Sequence, residues 1–291
     1  MDEVVVVGYG TQKKVNLTGS VASITPETIE NRPITQTSQA LAGLTSGVTV
    51  SQSSGRPGGD QASIRIRGVG TFSGAGSDPL VLIDGLSASI NDVDPNNIAN
   101  ISILKDAASS AIYGTRAANG VILIETKRGK KGVTQVAYNG YVGWQKATEL
   151  PDFLDSWDYA IMRNEADKNS GLSATYDQND IDKFRNGSDP DNYPNVNHLK
   201  DLVTSGSGFQ TGHNVTLSNG GEKLSYFFSL GYLHQEGIVE QNDYSKYNFQ
   251  LNIDNQILSN LLLKANLSGY ASTTNEPYTG DGDMSRMTVS Y

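Results

Sequence analysis

The second half of the chain alternates between apolar and polar residues with a period of two. In the clearest segment, apolar residues from Tyr247 to Ile253 alternate with polar residues from Lys246 to Asp254. This alternation predicts strands with one apolar and one polar face. Strands of about ten residues suit a transmembrane β-barrel, since strands of soluble sandwiches usually have about 5–6. Five such segments begin near Thr134, Phe209, Leu224, Lys246 and Leu261.

The connections between these segments alternate between long and short. The first is the acid-rich stretch 149–206, with a predicted helix near Trp157–Asp167, and the next are 219–222, 236–243 and 255–260. Outer-membrane barrels join their strands by short periplasmic turns and longer external loops. We therefore expect 149–206 to be a long external loop. Because a bacterial barrel has an even number of strands, five strands predict an incomplete barrel, and hence a fragment.

The first 132 residues predict a small α+β domain with a mixed sheet. Short apolar runs are separated by turn signals, such as Asp84-Gly85 after one strand and Gly114 at the end of a helix that Asp106 begins. The predicted strands are 48–51, 62–67, 80–83, 101–105 and 120–127, and the predicted helices are 38–44 and 107–113.

The chain opens with a β-branched run, Val4–Val7, between two acidic residues and two glycines. Such a run predicts a strand. The following residues, Thr11–Asn16, are mostly polar, so we expect no hairpin partner next to it. Two interpretations remain open: an edge strand of the first domain, or an extended segment that adds itself to the sheet of another protein.

Composition narrows the classes of protein. The 291 residues include 31 Gly, 14 Tyr and no Cys, which favours turn-rich β-structure and excludes disulfide and zinc-thiolate sites. Residues 1–132 carry 12 basic and 11 acidic side chains, whereas residues 133–291 carry 10 and 20. This shift predicts a domain boundary near Gly132, and the acidic second half argues against nucleic-acid binding.

Candidate chemistry is sparse. The glycines of 68–74 lack the spacing of a phosphate loop. The acidic run Asp177–Asp182 lacks the glycine of a calcium loop, so we interpret it as a solvated loop. The three histidines are far apart, and no nucleophile motif is present. We therefore expect no enzyme activity, no cofactor and no metal site.

Four motifs occur in an informative order: Asp2–Gly10 (DEVVVVGYG), Ser63–Gly68 (SIRIRG), Pro79–Gly85 (PLVLIDG) and Ile103–Gly132. With them the chain resembles, over nearly its whole length, the N-terminal part of a SusC/RagA-family TonB-dependent outer-membrane transporter. The resemblance implies a TonB box at 1–10, a plug domain at 11–132, and the first strands of a 22-stranded barrel at 133–291.

The resemblance also assigns residues. The residues expected to bind TonB are Asp2, Glu3, Val4, Val5, Val6, Val7, Gly8, Tyr9 and Gly10. The residues expected to be structural in the plug are Arg65, Arg67, Gly68, Asp84, Gly85, Tyr113, Gly114, Arg116, Asn119 and Gly120.

Two expectations concern orientation. Arg65 and Arg67 share one predicted strand face and suit pairing with carboxylates of the barrel wall. On the barrel strands we expect one face toward the lumen and the other toward lipid. Gln135, Asn248 and Asn252 are predicted to face the lumen, and Val136, Phe249 and Leu251 to face lipid.

The function that the resemblance implies is TonB-dependent import of a nutrient, an oligosaccharide or a peptide, across the bacterial outer membrane. The implied partners are TonB of the inner-membrane complex, a SusD-like surface lipoprotein and outer-membrane lipid, with the N-terminus in the periplasm. The alternative is a soluble or surface carbohydrate-binding or adhesion β-protein without transport. Membrane extraction with heat-modifiable migration supports the transporter, and free solubility supports the alternative.

Overall fold

The computed structural model describes residues 4–7, 10–13, 21–29, 32, 34–68, 76–132 and 134–276. They fall into two compact units. Within the described residues, the first unit comprises the chain up to residue 144 together with 209–237 and 242–276, and the second comprises 145–208 and 238–241.

The first unit holds all the strands of the described residues. Those that precede residue 132 are β1 (Val4–Val7), β2 (Gly10–Lys13), β3 (Val21–Ile24), β4 (Val48–Gln52), β5 (Ala62–Ile66), β6 (Leu80–Ile83), β7 (Leu86–Ser87), β8 (Ile98–Leu104) and β9 (Val121–Thr126). The later strands are β10 (Gln135–Trp144), β11 (Phe209–Gly220), β12 (Leu224–Glu236), β13 (Asp243–Leu258) and β14 (Leu261–Asn275).

The N-terminal domain is built on a five-stranded mixed sheet in the order β3-β8-β9-β6-β7. Strands β6 and β9 pair in parallel, and the other neighbours are antiparallel. β4 and β5 form a separate antiparallel hairpin. The expected α+β domain with a mixed sheet is confirmed.

The core of this domain lies on the central strands. Ile101 and Ile103 of β8 and Ile122 of β9 are fully buried, as continuous apolar strands should be when both faces are covered. Two short helices, α1 (Pro26–Ile29) and α2 (Thr37–Ala40), come between β3 and β4 in the chain. The core that they share with the sheet and the β4–β5 hairpin includes Ile24, Ile29, Ala40, Leu41, Ile64, Ile66, Ile98 and Ile124.

Helical turns cover the predicted helix 107–113, and Gly114 ends them as predicted. The α-helix α3 covers Ala107–Ser110, and a 3₁₀ segment continues over Ala111–Ala117 with a break at Gly114. Gly114 has φ 70° and ψ −155°, a conformation that only glycine adopts easily, so the chain changes direction there and resumes helical turns afterwards.

The C-terminal strands form one antiparallel sheet in chain order, from β10 to β14. All five predicted segments are strands of this sheet, and each pairs with its neighbour in sequence. One face is apolar and open, since Val136 is 72% exposed, whereas the other face is covered, since Asn252 is 2% exposed. The predicted alternation is therefore confirmed, and the sheet is not closed.

The second unit is helical. Its helices are α4 (Ser156–Asn169), α5 (Gln178–Asn186) and α6 (His198–Val203). α4 confirms the helix predicted near Trp157–Asp167. The interpretation of Asp177–Asp182 as a loop is wrong, because Asp177 and Asp180 form a capping box that begins α5. Ala160 and Ile181 are buried here, and the ring of Phe184 packs edge-on between Tyr176 and Tyr193.

Among the described helices, none has both the length and the apolar character needed to cross a membrane.

Candidate functional site

The N-terminal valines form the first candidate element. β1 is a strand, as predicted, but it pairs antiparallel with β2, with Val5 opposite Gln12. The expectation that nothing adjacent could pair with it is therefore wrong. Pairing in a sheet uses backbone groups, which polar residues such as Thr11 and Gln12 supply as well as apolar ones. Asp2, Glu3, Gly8 and Tyr9 lie outside the described residues.

This hairpin is a sheet of two strands. Within the part of the chain that is described, the outer edges of β1 and β2 have no further strand partner. An edge of this kind presents N–H and C=O groups to which another strand can add.

The SIRIRG motif lies on β5 and just after it. Ile64 and Ile66 point into the core, whereas Arg65 is exposed. Arg67 follows the strand with φ 57°, and its N–H donates to the Gly47 carbonyl oxygen at 2.8 Å. Its guanidinium forms an ion pair with Asp106. For Arg67, the expected pairing with a carboxylate of the barrel wall is therefore wrong: its partner belongs to the plug-like domain itself.

The electrostatics around Arg67 include Lys105. Burial lowers the pKa of Lys105, the nearby Arg67 cation lowers it further, and Asp106 acts in the opposite direction. Nζ of Lys105 donates to the Ser46 carbonyl oxygen at 2.6 Å. Arg67 and Lys105 thus hold the start of α3 against the loop that precedes β4, which is a structural role.

Asp84 and Gly85 form the tight turn between β6 and β7. Both have positive φ, 48° and 87°, as a two-residue hairpin turn requires. The Asp84 carboxylate accepts from the Thr126 N–H at 3.0 Å and from the Thr126 hydroxyl at 2.5 Å. The turn is therefore fixed to the end of β9.

The remaining motif residues lie toward the opposite end of β6 and β9, where these two parallel strands begin. Tyr113 packs against the smaller core cluster around Leu104 and Val121. Arg116 donates to the Ser87 hydroxyl at 2.8 Å, and Asn119 donates to the carbonyl oxygens of Gly76 and Asp78, each at 3.3 Å.

The structure thus places these motif residues in three groups. Arg67, followed by Gly68, lies beside Asp106, and Asp84 and Gly85 lie at the end of β9. Arg116 contacts β7, and Asn119 contacts the segment before β6. Their contacts are internal to the N-terminal domain, as a structural role requires, apart from a long contact of 3.5 Å from Asn266 to Asp84.

A row of polar side chains on β13 joins the sheet to the N-terminal domain. Nζ of Lys246 donates to the Asn91 carbonyl oxygen at 2.8 Å, and Nδ2 of Asn248 donates to the Asp94 carboxylate at 2.9 Å. Nδ2 of Asn252 reaches the Thr126 hydroxyl at 2.8 Å and the Lys127 carbonyl oxygen at 2.7 Å.

An ion pair completes this interface. Arg128 donates to the Asp254 carboxylate at 2.6 Å and to Oδ1 of Asn266 on β14 at 3.2 Å. On the first strand of the sheet, Nδ2 of Asn139 donates to Asn96 at 3.0 Å. Each side chain from the sheet lies on its polar face, so the two domains are joined mainly by hydrogen bonds.

The period-two pattern placed Lys246, Asn248, Asn252 and Asp254 on the polar face of the strand, but it did not predict their partners. It carries no signal for Arg128, which lies in a basic turn after β9 and resembles an ordinary solvated cation.

Among the described residues, no group of three or more His, Cys, Asp or Glu side chains could hold a metal ion.

The profile of the TonB-dependent receptor plug domain family matches residues 13–121. TonB-dependent receptor P26 of Formosa agariphila is 38% identical over 261 residues, covering 87% of this chain and 25% of that protein. TonB-dependent receptor SusC of Bacteroides thetaiotaomicron is 36% identical over 269 residues, covering 87% of this chain and 24% of that protein. The chain thus spans about a quarter of the length of these relatives.

A solved structure agrees with these relatives. A chain of the RagAB peptide importer in its open-open state has a TM-score of 0.78 and 28% identity, over 97% of this chain and 34% of that one. The fold is thus a TonB-dependent receptor plug domain followed by antiparallel strands. The resemblance to the SusC/RagA family of TonB-dependent receptors is confirmed.

Proposed function

We propose that this chain is the plug domain and the first wall strands of an importer that moves a nutrient across the bacterial outer membrane. The observation that carries the proposal is the two-faced sheet. Its inner face holds the plug by the β13 row of Lys246, Asn248 and Asn252. Its outer face exposes apolar side chains, which suits contact with lipid.

The exposed aromatic side chains support a lipid-facing surface. The rings of Tyr138, His213, Tyr232 and Tyr247 form a row across four neighbouring strands, with successive centroids 6.0, 6.4 and 4.9 Å apart. Tyr138 and Tyr247 are 65% and 61% exposed. Aromatic bands of this kind mark the membrane–water boundaries of β-barrels. We assign strands β10–β14 to the membrane on this basis.

Energy coupling is assigned to residues 2–10. In the proposal, a strand of periplasmic TonB adds to Val4–Val7, either at the free edge of β1 or in place of β2. The affinity then comes mainly from main-chain hydrogen bonds, which any residue except proline can make.

The names of a relative and of a structural neighbour support a proposal for the substrate class and the partner. One is named SusC, and a structural neighbour is a peptide importer. We propose an oligosaccharide or a peptide as cargo and a SusD-like lipoprotein as the outer partner. In the chain, residues 145–208 follow β10, and β10 follows the plug domain. This order supports the assignment of residues 145–208 as the first external loop.

The test uses Val5→Pro in the complete transporter, with Val5→Ile as the matched control. Outer-membrane abundance, substrate binding at the cell surface and uptake are measured together. We expect Val5→Pro to abolish uptake while abundance and binding stay normal, and Val5→Ile to leave all three unchanged. Normal uptake by Val5→Pro would contradict the assignment to TonB. Loss of abundance would instead indicate that Val4–Val7 is a structural strand of the plug. A protein found in the soluble fraction would contradict transport altogether.

A further inference from the structure

The plug loop from Arg56 to Asp60 is seated on the inner face of the sheet. Gly58 has φ +69°, and a β-carbon built on it would lie 2.5 Å from the ring of Tyr244 on β13. No side chain fits between the loop and that ring. The loop therefore brings Asp60 directly against β12 and β13.

Asp60 is a buried carboxylate with uneven contacts. Asp60 is only 2% exposed. Oδ2 accepts from three donors: the Thr35 hydroxyl, Nε2 of Gln39 at 3.0 Å, and Nε2 of Gln235 at 3.4 Å. Oδ1 is equally buried and accepts from no donor of the described residues.

No described cation offsets this charge. The ion pairs of the described residues do not include Asp60, and the nearest arginine along the loop, Arg56, is paired with Glu276 at 2.8 Å. A carboxylate that is removed from water without an opposite charge is costly. The three donors act on Oδ2, so Oδ1 and the net charge of an ionised Asp60 have no partner among the described side chains.

Two further oxygens, on β12 and just before β13, are unsatisfied. Oε1 of Gln235, a fully buried residue, and Oδ1 of Asn242, which is 5% exposed, accept no hydrogen bond from the described residues. Gln235 lies opposite Tyr244, and Asn242 lies two residues before Tyr244, where its carbonyl oxygen accepts from the Gly237 N–H at 2.6 Å. On antiparallel strands this makes Gln235 and Asn242 diagonal neighbours on one face.

We propose that Asp60, Gln235 and Asn242 form a binding site for a monovalent metal cation of the sodium type. All three unsatisfied atoms are oxygens that accept and cannot donate. Carboxylate and amide oxygens are the ligands that hard cations prefer. A single positive charge makes the site neutral, whereas a divalent ion leaves an unbalanced buried charge.

A water molecule is the competing occupant. It has two hydrogens to donate, so it satisfies two of the three oxygens and leaves the charge of Asp60 uncompensated. The cation offsets the charge and contacts all three. It also links the plug loop to two wall strands, so the attachment of the plug to the sheet depends on the ion.

The experiment follows thermal unfolding of the complete receptor in detergent. It is measured in sodium chloride and in N-methylglucamine chloride at equal ionic strength, so that screening is the same. Because binding to the folded state raises stability, we expect Tm to be higher in sodium by roughly 1 °C for a receptor of the relatives' length when the ion is about a hundred times above its Kd. Above the Kd, the rise should continue in proportion to the logarithm of the sodium concentration.

Asp60→Asn removes the charge and should abolish the sodium dependence. The matched control is Asp84→Asn, because both oxygens of Asp84 accept hydrogen bonds from Thr126; this variant should keep the dependence. If Asp60→Asn does not fold, the titration of the unaltered receptor still decides. Gln235→Glu adds a second carboxylate and should shift the preference toward calcium.

Equal Tm in the two salts would overturn the proposal in favour of a buried water. Stabilisation of the unaltered receptor by calcium chloride but not by sodium chloride would overturn the assignment of a monovalent ion. Sodium dependence that persists in a folded Asp60→Asn variant would place the ion elsewhere.

Discussion

A β-carbon built on Gly120 would lie 2.8 Å from Cδ1 of Ile66 and 3.1 Å from the carbonyl oxygen of Leu104. Gly120 also has φ +90°, a conformation that other residues adopt with strain. The glycine thus lets the start of β9 approach the second isoleucine of the SIRIRG motif.

Gly120→Ala is expected to destabilise the plug by roughly 2–4 kcal/mol, because the conformational strain adds to the overpacking. Gly68→Ala is the matched control. Gly68 also has positive φ, +86°, but its β-carbon would meet no atom within 4 Å, so only the strain remains, about 1–2 kcal/mol. The urea midpoint of the plug is measured by labelling a cysteine at the buried Ser102 in the complete receptor. Equal midpoints for the two variants would show that the contact with Ile66 is unimportant.

Arg128→Ala should loosen the plug from the sheet. Both side chains of the Arg128–Asp254 pair are mostly buried, 31% and 21% exposed, and removal of the cation leaves the carboxylate without its partner. The Arg56–Glu276 pair, at 38% and 44% exposed, is the control, since such exposed pairs contribute about 0–1 kcal/mol. Hydrogen exchange of the amides around Thr126 should accelerate in Arg128→Ala and stay unchanged in Arg56→Ala. The reverse order would contradict this anchoring role.

Single cysteines along β13 should report two environments. Cysteines at 248 and 252 should react slowly, because these positions face the plug, and those at 249 and 251 should react only with a lipid-soluble reagent. The absence of natural cysteine in these residues removes background labelling from them. Uniform reaction with a water-soluble reagent from Lys246 to Asp254 is the result that would sink the assignment of the outer face to lipid.

Gln12→Pro separates the two ways in which, under the proposed function, TonB binds β1. Proline removes an N–H from β2 and weakens its pairing with Val5. If TonB replaces β2, uptake should be unchanged or faster in Gln12→Pro, because the competing strand is weaker. If TonB adds to the outer edge of an intact hairpin, uptake should fall. Transport rates at equal outer-membrane abundance distinguish the two.

The sequence predicted the sheet β10–β14 well because alternation along a strand directly reports that its two sides meet different surroundings. The uninterrupted apolar runs of β6 and β9 were equally informative, since a strand buried on both faces leaves no polar position. The pattern of side chains carries no information on contacts made by the main chain. The partner of Val4–Val7 was missed because Gly10–Lys13 pairs through its backbone, whatever its side chains are.

Charged residues were the least predictable. Arg67 was expected to pair with the barrel wall from its strand face, but its positive φ turns it away from that face and toward Asp106. The capping box at Asp177 and Asp180 looked like a solvated acidic loop, because the same short acids begin helices and fill loops. The contacts of Arg128 depend on residues more than a hundred positions away, which no local pattern encodes.

The position of β3 at the edge of its sheet determines where a pull on the N-terminal hairpin first reaches the plug domain. Eight residue-to-residue steps separate Lys13, the end of β2, from Val21, the start of β3, and a chain of that length spans at most about 29 Å when fully extended. If TonB displaces the hairpin by more than this reach, tension must arrive at Val21. Its ladder with β8 is four residue pairs long, from Val21–Leu104 to Ile24–Ile101, and β3 has no second neighbour in its sheet. Under such tension, those four pairs would be the first in this sheet to separate, before the core of the plug is disturbed.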